Sequence, residues 1–257
     1  MNYLWPSLNK IRFKPKVVVK RNESEVDNLA AGLVESQLSK KRDSVFVFPT
    51  GSTPLGIYQK LVERNKKKKN CFKFCTIFNL DEYFPIRKIN RASYCHYMKF
   101  HFLNYVDMDL KKWFIADGEE ISAEISALKF QEKIDRCLIF DLAILGLGPG
   151  STCHIGFNEK GSLLESKTRY VKLSTETRNA NSIFFSSQTD TPDGAVTMGI
   201  SDILKAKKIV VVAKGEKKAW GVWRTLTGSI GSDAPSSYLR LHPAVTFILD
   251  KSAALLI

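Results

Sequence analysis

Leu145–Glu159 reads LGLGPGSTCHIGFNE. The apolar run Leu138–Leu145 leads straight into it, and a continuous run of that kind reads as a strand buried on both faces. The strand ends in a Gly-rich turn carrying His154, with a carboxylate, Glu159, five residues on. Two other segments share this construction. PTGSTP (Pro49–Pro54) follows the apolar run Ser44–Phe48, and FNLDEY (Phe78–Tyr83) closes the run Phe72–Leu80. Three chemically loaded turns, each after an apolar strand, predict one site along the carboxyl edge of a parallel sheet.

The rest of the chain fits that frame. Val17–Val19, Trp113–Ile115, Lys208–Ala213 and Ala244–Leu249 read as further strands. Helical spacing covers Ser24–Lys40, with Ser24 as N-cap, and Thr53–Arg64, with Pro54 in its first turn. It recurs over Arg91–Asn104, Ile121–Arg136, Asp193–Leu204 and Lys217–Leu226. Strands alternating with helices predict one α/β domain over residues 1–257. Its sheet is doubly wound, mostly parallel and flanked by helices, in the Rossmann-like manner. The irregular stretch 161–192, rich in Ser, Thr and Asn, reads as a mobile lid over the site.

With 257 residues, 44% of them hydrophobic and 25% charged, the chain can bury a sizeable core. It has no apolar run of about 18 residues, so no membrane span is expected. The opening MNYLWPSLNKIRFKPK lacks the apolar core and cleavage site of a signal peptide. A cytoplasmic protein is the expectation. Five scattered cysteines (Cys71, Cys75, Cys95, Cys137, Cys153) form no CxxC pair, which favours reduced thiols over disulfides or a zinc site. The net charge of +13 favours anionic partners. The densest basic run, Lys66–Lys69, follows Arg64 at a predicted helix end, where cations suit the dipole. Zinc-finger spacing and the aromatic–basic pattern of RNA-binding sheets are both missing, so no specific nucleic-acid partner is expected.

Each turn carries a chemical reading and a plainer one. In PTGSTP, Gly51 lets the backbone approach a ligand, Ser52 and Thr53 supply hydroxyls, and the N–H groups of the next helix attract an anion. A Walker lysine is missing, since GxxxxGK[ST] does not occur there. An ordinary capped strand–helix turn reads equally well from these residues. In FNLDEY, one of Asp81 and Glu82 can be desolvated into a general base, with Arg87, Lys88 and Arg91 near enough to offset charge. An N-cap aspartate is the alternative. His154 can shuttle a proton near neutral pH, with Glu159 orienting it. His96, His101 and His242 read as structural. Cys153, beside the backbone N–H groups of the turn, is expected to have a lowered thiol pKa.

Taken in order, TGSTP, FNLDEY and HIGFNE resemble the glucosamine-6-phosphate deaminase (isomerase) family, which shares a superfamily with the 6-phosphogluconolactonases. The resemblance extends to Glu165–Phe185, GISDIL (Gly199–Leu204), GEKKA (Gly215–Ala219) and LRLHPAVT (Leu239–Thr246), most of the chain. It implies a hydrolase and isomerase of amino-sugar metabolism that converts glucosamine 6-phosphate to fructose 6-phosphate and ammonia. The implied partner is therefore a small phosphorylated amino sugar, and no metal or organic cofactor is implied. Asp81 matches the carboxylate that moves a proton between C2 and C1. His154 matches the ring-opening histidine and Glu159 its supporting carboxylate. Thr50, Gly51, Ser52 and Thr53 match the substrate and phosphate loop, and Lys218 the lysine on the phosphate.

The departures are specific. The turn before His154 is about two residues longer than the family's. Thr152 stands where the family has Asp or Asn, and Cys153 where it has Gly. Ile183 replaces a phosphate-binding arginine, with Arg178 or Lys172 as candidate substitutes, and Lys160 replaces a proline. Galactosamine-6-phosphate deaminase, 6-phosphogluconolactonase and a catalytically impaired sugar-phosphate-binding paralogue fit parts of the same pattern. The short segment after the last strand predicts no activation by N-acetylglucosamine 6-phosphate, and a homo-oligomer stays open.

Overall fold

A computed structural model describes residues 13–67, 72–137, 139–148, 150–185 and 190–257. In chain order the elements begin β1 (Lys16–Lys20), α1 (Glu23–Lys40), β2 (Val45–Phe48), α2 (Leu55–Lys67), β3 (Thr76–Asn79), β4 (Asp81–Phe84) and α3 (Tyr94–His101). Next come β5 (Trp113–Phe114), α4 (Ala123–Arg136), β6 (Leu142–Gly146), β7 (Arg169–Lys172), α5 (Thr175–Asn181), β8 (Gly194–Thr197) and α6 (Ile200–Ile203). The chain finishes with β9 (Ile209–Ala213), α7 (Ala219–Thr227) and β10 (Val245–Asp250).

Seven strands form one parallel sheet in the order β1-β10-β9-β6-β2-β3-β5. Successive side chains point to opposite faces. Val47, Phe78, Ala143 and Val211 meet α4, α6 and α7 on one face. Phe46, Phe48, Ile77 and Val210 meet α1, α2 and α3 on the other. Both faces are thus covered, which is why the central strands are apolar throughout. From β2 the chain winds outward through β3 to β5. It then returns to β6 on the other side of β2 and continues to β9 and β10. The connections therefore part company between β2 and β6, and a crevice opens there at the carboxyl edge.

Several elements differ from the sequence reading. Asn22, not Ser24, caps α1: its Oδ1 accepts from Glu25 N at 3.0 Å. Asp81 lies neither in a turn nor at an N-cap but opens β4, which pairs antiparallel with β8, and β8 with β7, in a separate small sheet. Within Asp193–Leu204, therefore, Gly194–Thr197 is strand and only Ile200–Ile203 is helix. The small apolar run Gly-Ala-Val fits a strand wedged between two neighbours. Tyr170 packs so closely over Gly194 that a Cβ there would lie 2.3 Å from its ring. Leu138, Lys68 and Lys69 lie outside the described residues.

A buried ion pair ties the layers together behind β2. Lys214 Nζ, just past β9, reaches the Asp27 carboxylate of α1 at 2.9 and 3.0 Å, with both side chains under a tenth exposed. Asp27 also lies against Gly56 in the first turn of α2, where a Cβ would come within 2.0 Å of Oδ2. We expect Lys214→Met to leave a buried unpaired carboxylate and cost about 3–5 kcal/mol in denaturant unfolding. Asp27→Leu combined with Lys214→Met should lose less than Lys214→Met alone.

Candidate active site

The crevice between β2 and β6 holds a cavity of about 210 Å³. Thr50, Gly51, Ser52 and Thr53 line one side, and Asp81, His154 and Lys218 the others. Seven of the eight residues singled out from sequence thus converge, from four separate loops and strand ends.

The loop after β2 is held by tyrosines. Tyr97 Oη donates to Gly51 O at 2.7 Å, and Tyr58 Oη donates to Pro49 O. Gly51 has φ +92, a conformation that disfavours residues with a Cβ. Leu55 begins α2 directly afterward, so the free N–H groups of that helix start beside the loop.

Asp81 and Glu82 are both buried, at 4% and 1% exposure, and they alternate across β4. Glu82 points away from the cavity. Its carboxylate accepts from Ser93 Oγ, Cys95 N, Tyr94 N and Tyr83 N at 2.7–2.9 Å, tying β4 to the start of α3. Burial pushes Glu82 up to about 7 even against those four donors. Asp81 has less support. Burial first and then the neighbouring Glu82 charge push it up to about 8, while the Phe157 N–H pulls it back. The cations expected nearby do not offset it. Lys88 pairs with Asp117 at 2.6 Å, and Arg87 and Arg91 are exposed. Gly156, at φ +58, allows the close approach: a Cβ there would meet Asp81 Oδ2 at 3.1 Å and Thr197 Oγ1 at 2.9 Å.

His154 closes its turn through Gly148 N–H donating to His154 O at 2.9 Å. Its ring lies flat enough on Gly148 that a Cβ there would sit 2.5 Å from Nδ1. Burial, then the Lys218 charge, lowers the imidazole to about 4, so the ring is neutral at pH 7. Lys218 Nζ donates to Leu147 O at 2.5 Å, and burial lowers its own pKa to about 8.

Gly150–Thr152 form a single 3₁₀ turn, followed by Cys153 at φ +43. Cys153 is the one non-glycine residue with positive φ among those described. It keeps the left-handed backbone that a glycine adopts freely, at a cost of about 1–2 kcal/mol. Ser236 N–H, donating to Cys153 O at 3.0 Å, holds it there. The thiol is fully buried and burial raises its pKa, the reverse of the sequence expectation.

Glu159 is placed differently from the role the resemblance implies. No hydrogen bond joins it to His154 among the described residues. Its Oε2 accepts from Ser174 N at 3.0 Å, next to α5, while Oε1 and His154 Nδ1 are both buried without a partner among those residues. Arg178 binds Asp193 at 2.7 Å and Thr191 O, and Lys172 is exposed, so neither stands in for the arginine replaced by Ile183. Ala180, Asn181, Ile183 and Phe184 form the outer wall of the cavity. Sequence reading missed Tyr94 and Phe157, whose rings stack 6.0 Å apart beside Asp81. No local spacing signals them, because α3 and the turn after β6 meet only in the fold.

Fold and pocket together define an α/β protein with acid–base groups at the switch point of a parallel sheet. A family model described as glucosamine-6-phosphate isomerases/6-phosphogluconolactonase matches residues 21–247. The glucosamine-6-phosphate deaminase of Halothermothrix orenii is 41% identical over 242 residues, covering 94% of this chain and 100% of that protein. The solved structure of a monomeric glucosamine-6-phosphate deaminase superposes with a TM-score of 0.91 at 34% identity, covering 94% of this chain and 100% of that one. The 6-phosphogluconolactonase of Trypanosoma cruzi shares the fold, with a TM-score of 0.75 at 22% identity over 95% of this chain and 97% of that one. The chain belongs to the glucosamine-6-phosphate isomerase/6-phosphogluconolactonase family.

The Lys218 charge holds down the His154 pKa. Lys218→Met should therefore move the imidazole titration upward from about 4, toward the ordinary histidine value, in NMR of labelled protein. An unmoved titration would show that burial alone sets it.

Proposed function

We propose that this chain is a glucosamine-6-phosphate deaminase. It opens the sugar ring, isomerises the aldose to a ketose and releases ammonia, leaving fructose 6-phosphate. The observation that carries this reading is a desolvated carboxyl, Asp81, and a neutral imidazole, His154, on one cavity bordered by the hydroxyl-bearing loop Thr50–Thr53 and by Lys218. His154 takes the proton of the O1 hydroxyl and returns one to the ring oxygen, opening the ring. Asp81, once ionised, removes the C2 proton and delivers it to C1, as the substrate's ammonium gives up one proton and O1 takes one. The resulting C2 imine takes up water and loses ammonia. The 6-phosphate lies on Thr50–Thr53 and the Lys218 ammonium, where helix N–H groups and one cation suit a dianion.

Burial fits Asp81 to its part. A carboxyl that titrates near working pH is a stronger base than an ordinary aspartate, and the substrate ammonium favours its ionised form. Glu159 takes a supporting role through Ser174 rather than by direct contact with His154. Ala180, Asn181, Ile183 and Phe184, within the stretch read as a lid, support a covering role for that part of the chain. A cytoplasmic location suits a phosphorylated substrate, whose charge keeps it from crossing a bilayer. Ile183 at the former arginine position favours testing galactosamine 6-phosphate as a second substrate.

Ammonia release from each epimer tests the proposal. Asp81→Asn should lower kcat/KM for the active epimer by about 10³-fold. Gly148→Ala should displace the His154 ring and lower kcat more than it raises KM. The pH profile has a definite sign. On the acid side kcat/KM rises as Asp81 deprotonates, and on the alkaline side it falls as Lys218 loses its proton, each near 8. A narrow optimum near that pH is expected; a flat profile from about pH 6 to 10 would remove Asp81 as the base.

A further inference from the structure

At the opposite, amino edge of the sheet lies a second cavity of about 380 Å³. Leu142, Ile209, Val210 and Val245, at the starts of β6, β9 and β10, form an apolar floor. Four lysines stand around it: Lys14, Lys16, Lys40 and Lys208. No carboxylate lines the cavity, and none of the four lysine side chains has an ion-pair or hydrogen-bond partner among the described residues. By sequence, the segments outside the described residues contain no Asp or Glu, so they bring no side-chain carboxylate to it.

Neighbouring lysines are matched, which sets these four apart. Lys41 and Lys207 on the same edge both bind Asp141, at 2.6 and 2.9 Å. That carboxylate is thereby occupied. Lys40 has a local explanation, since α1 ends there and a cation suits a helix C-terminus. Lys14, Lys16 and Lys208 lie on or just before strands and cap no helix. Like charges around one concavity repel each other and focus a positive potential that a multivalent anion relieves. Four ammonium groups exceed what one phosphate needs. Ser36, Gln37 and Thr246 add polar groups to the wall.

We propose that this cleft is a second binding site, for a compact oligophosphate anion such as inorganic tripolyphosphate or a nucleoside triphosphate. It is separate from the first cavity. Leu142 of β6 borders this one and Gly146 the other, about 13 Å apart along the strand.

Calorimetric titration of the full chain with metal-free tripolyphosphate, and separately with ATP, tests the site at low salt. Wild type is compared with the pair Lys40→Glu and Lys208→Glu, and with Lys218→Met, which changes only the first cavity. Saturable binding of one equivalent is expected for at least one ligand. It should weaken about tenfold or more in the charge-reversed pair and persist in Lys218→Met. Tighter binding of ATP would identify a nucleotide as the source of the phosphates, and equal binding the phosphate chain alone. Retained ammonia release and circular dichroism verify that the charge-reversed protein is folded; otherwise Lys16→Gln with Lys208→Gln replaces it. The proposal falls if neither ligand saturates, if both variants bind like wild type, or if only Lys218→Met loses binding.

Discussion

β2 and β6 pair through Phe46 with Leu142 and Val47 with Ala143, and there the chain connections on either side diverge. The site depends on that parting. A strand in the middle of a parallel sheet is otherwise covered at its carboxyl end by its own connection to the next helix. Where consecutive connections run opposite ways, the covering loops separate and leave a crevice. The loop after β2 supplies its hydroxyls and N–H groups, the turn after β6 supplies His154, and the segment after β9 supplies Lys218. Asp81 enters because the chain leaves the large sheet at Leu80, whose N–H still donates to Phe48 O, and begins a second sheet.

Desolvation acts on Asp81, His154 and Lys218 in the same sense, toward neutrality. It raises Asp81 and lowers His154 and Lys218. A ligand carrying both an ammonium and a phosphate reverses two of these shifts at once. The ammonium favours ionised Asp81, and the phosphate favours protonated Lys218. In this reading the substrate completes the charge balance of its own site. His154, with its ring packed on Gly148, keeps the neutral form that proton shuttling requires.

Chain-specific changes are absorbed locally. Gly150–Thr152 in the His154 turn form a 3₁₀ turn, and Cys153 accepts the left-handed backbone because Ser236 fixes its carbonyl. Arg178, held by Asp193, does not supply the cation that the resemblance places at Ile183. Lys218 is therefore the one cationic side chain among the described residues that line the cavity.

Much of the architecture was legible in the residues themselves. The apolar runs at β2, β6, β9 and β10 require burial on both faces, and a loaded turn at a strand's carboxyl end has one natural place in a parallel sheet. That reasoning singled out the Thr50–Thr53 loop, Asp81 and His154, while Lys218 was implied only by the family resemblance. β8 was misread because Gly194–Thr197 becomes a strand only through β4 and β7, pairings distant in sequence. The roles of the adjacent carboxylates were likewise undecided until β4 turned one to the cavity and the other to the donors of α3. Residue types and local periodicity are written along the chain, so the sequence determined the strands of the large sheet, the longer helices and the chemical groups. Burial, side-chain direction and the company of distant residues arise only on folding. Tertiary structure alone therefore decided which carboxyl faces the cavity and that Glu159 reaches Ser174 rather than His154.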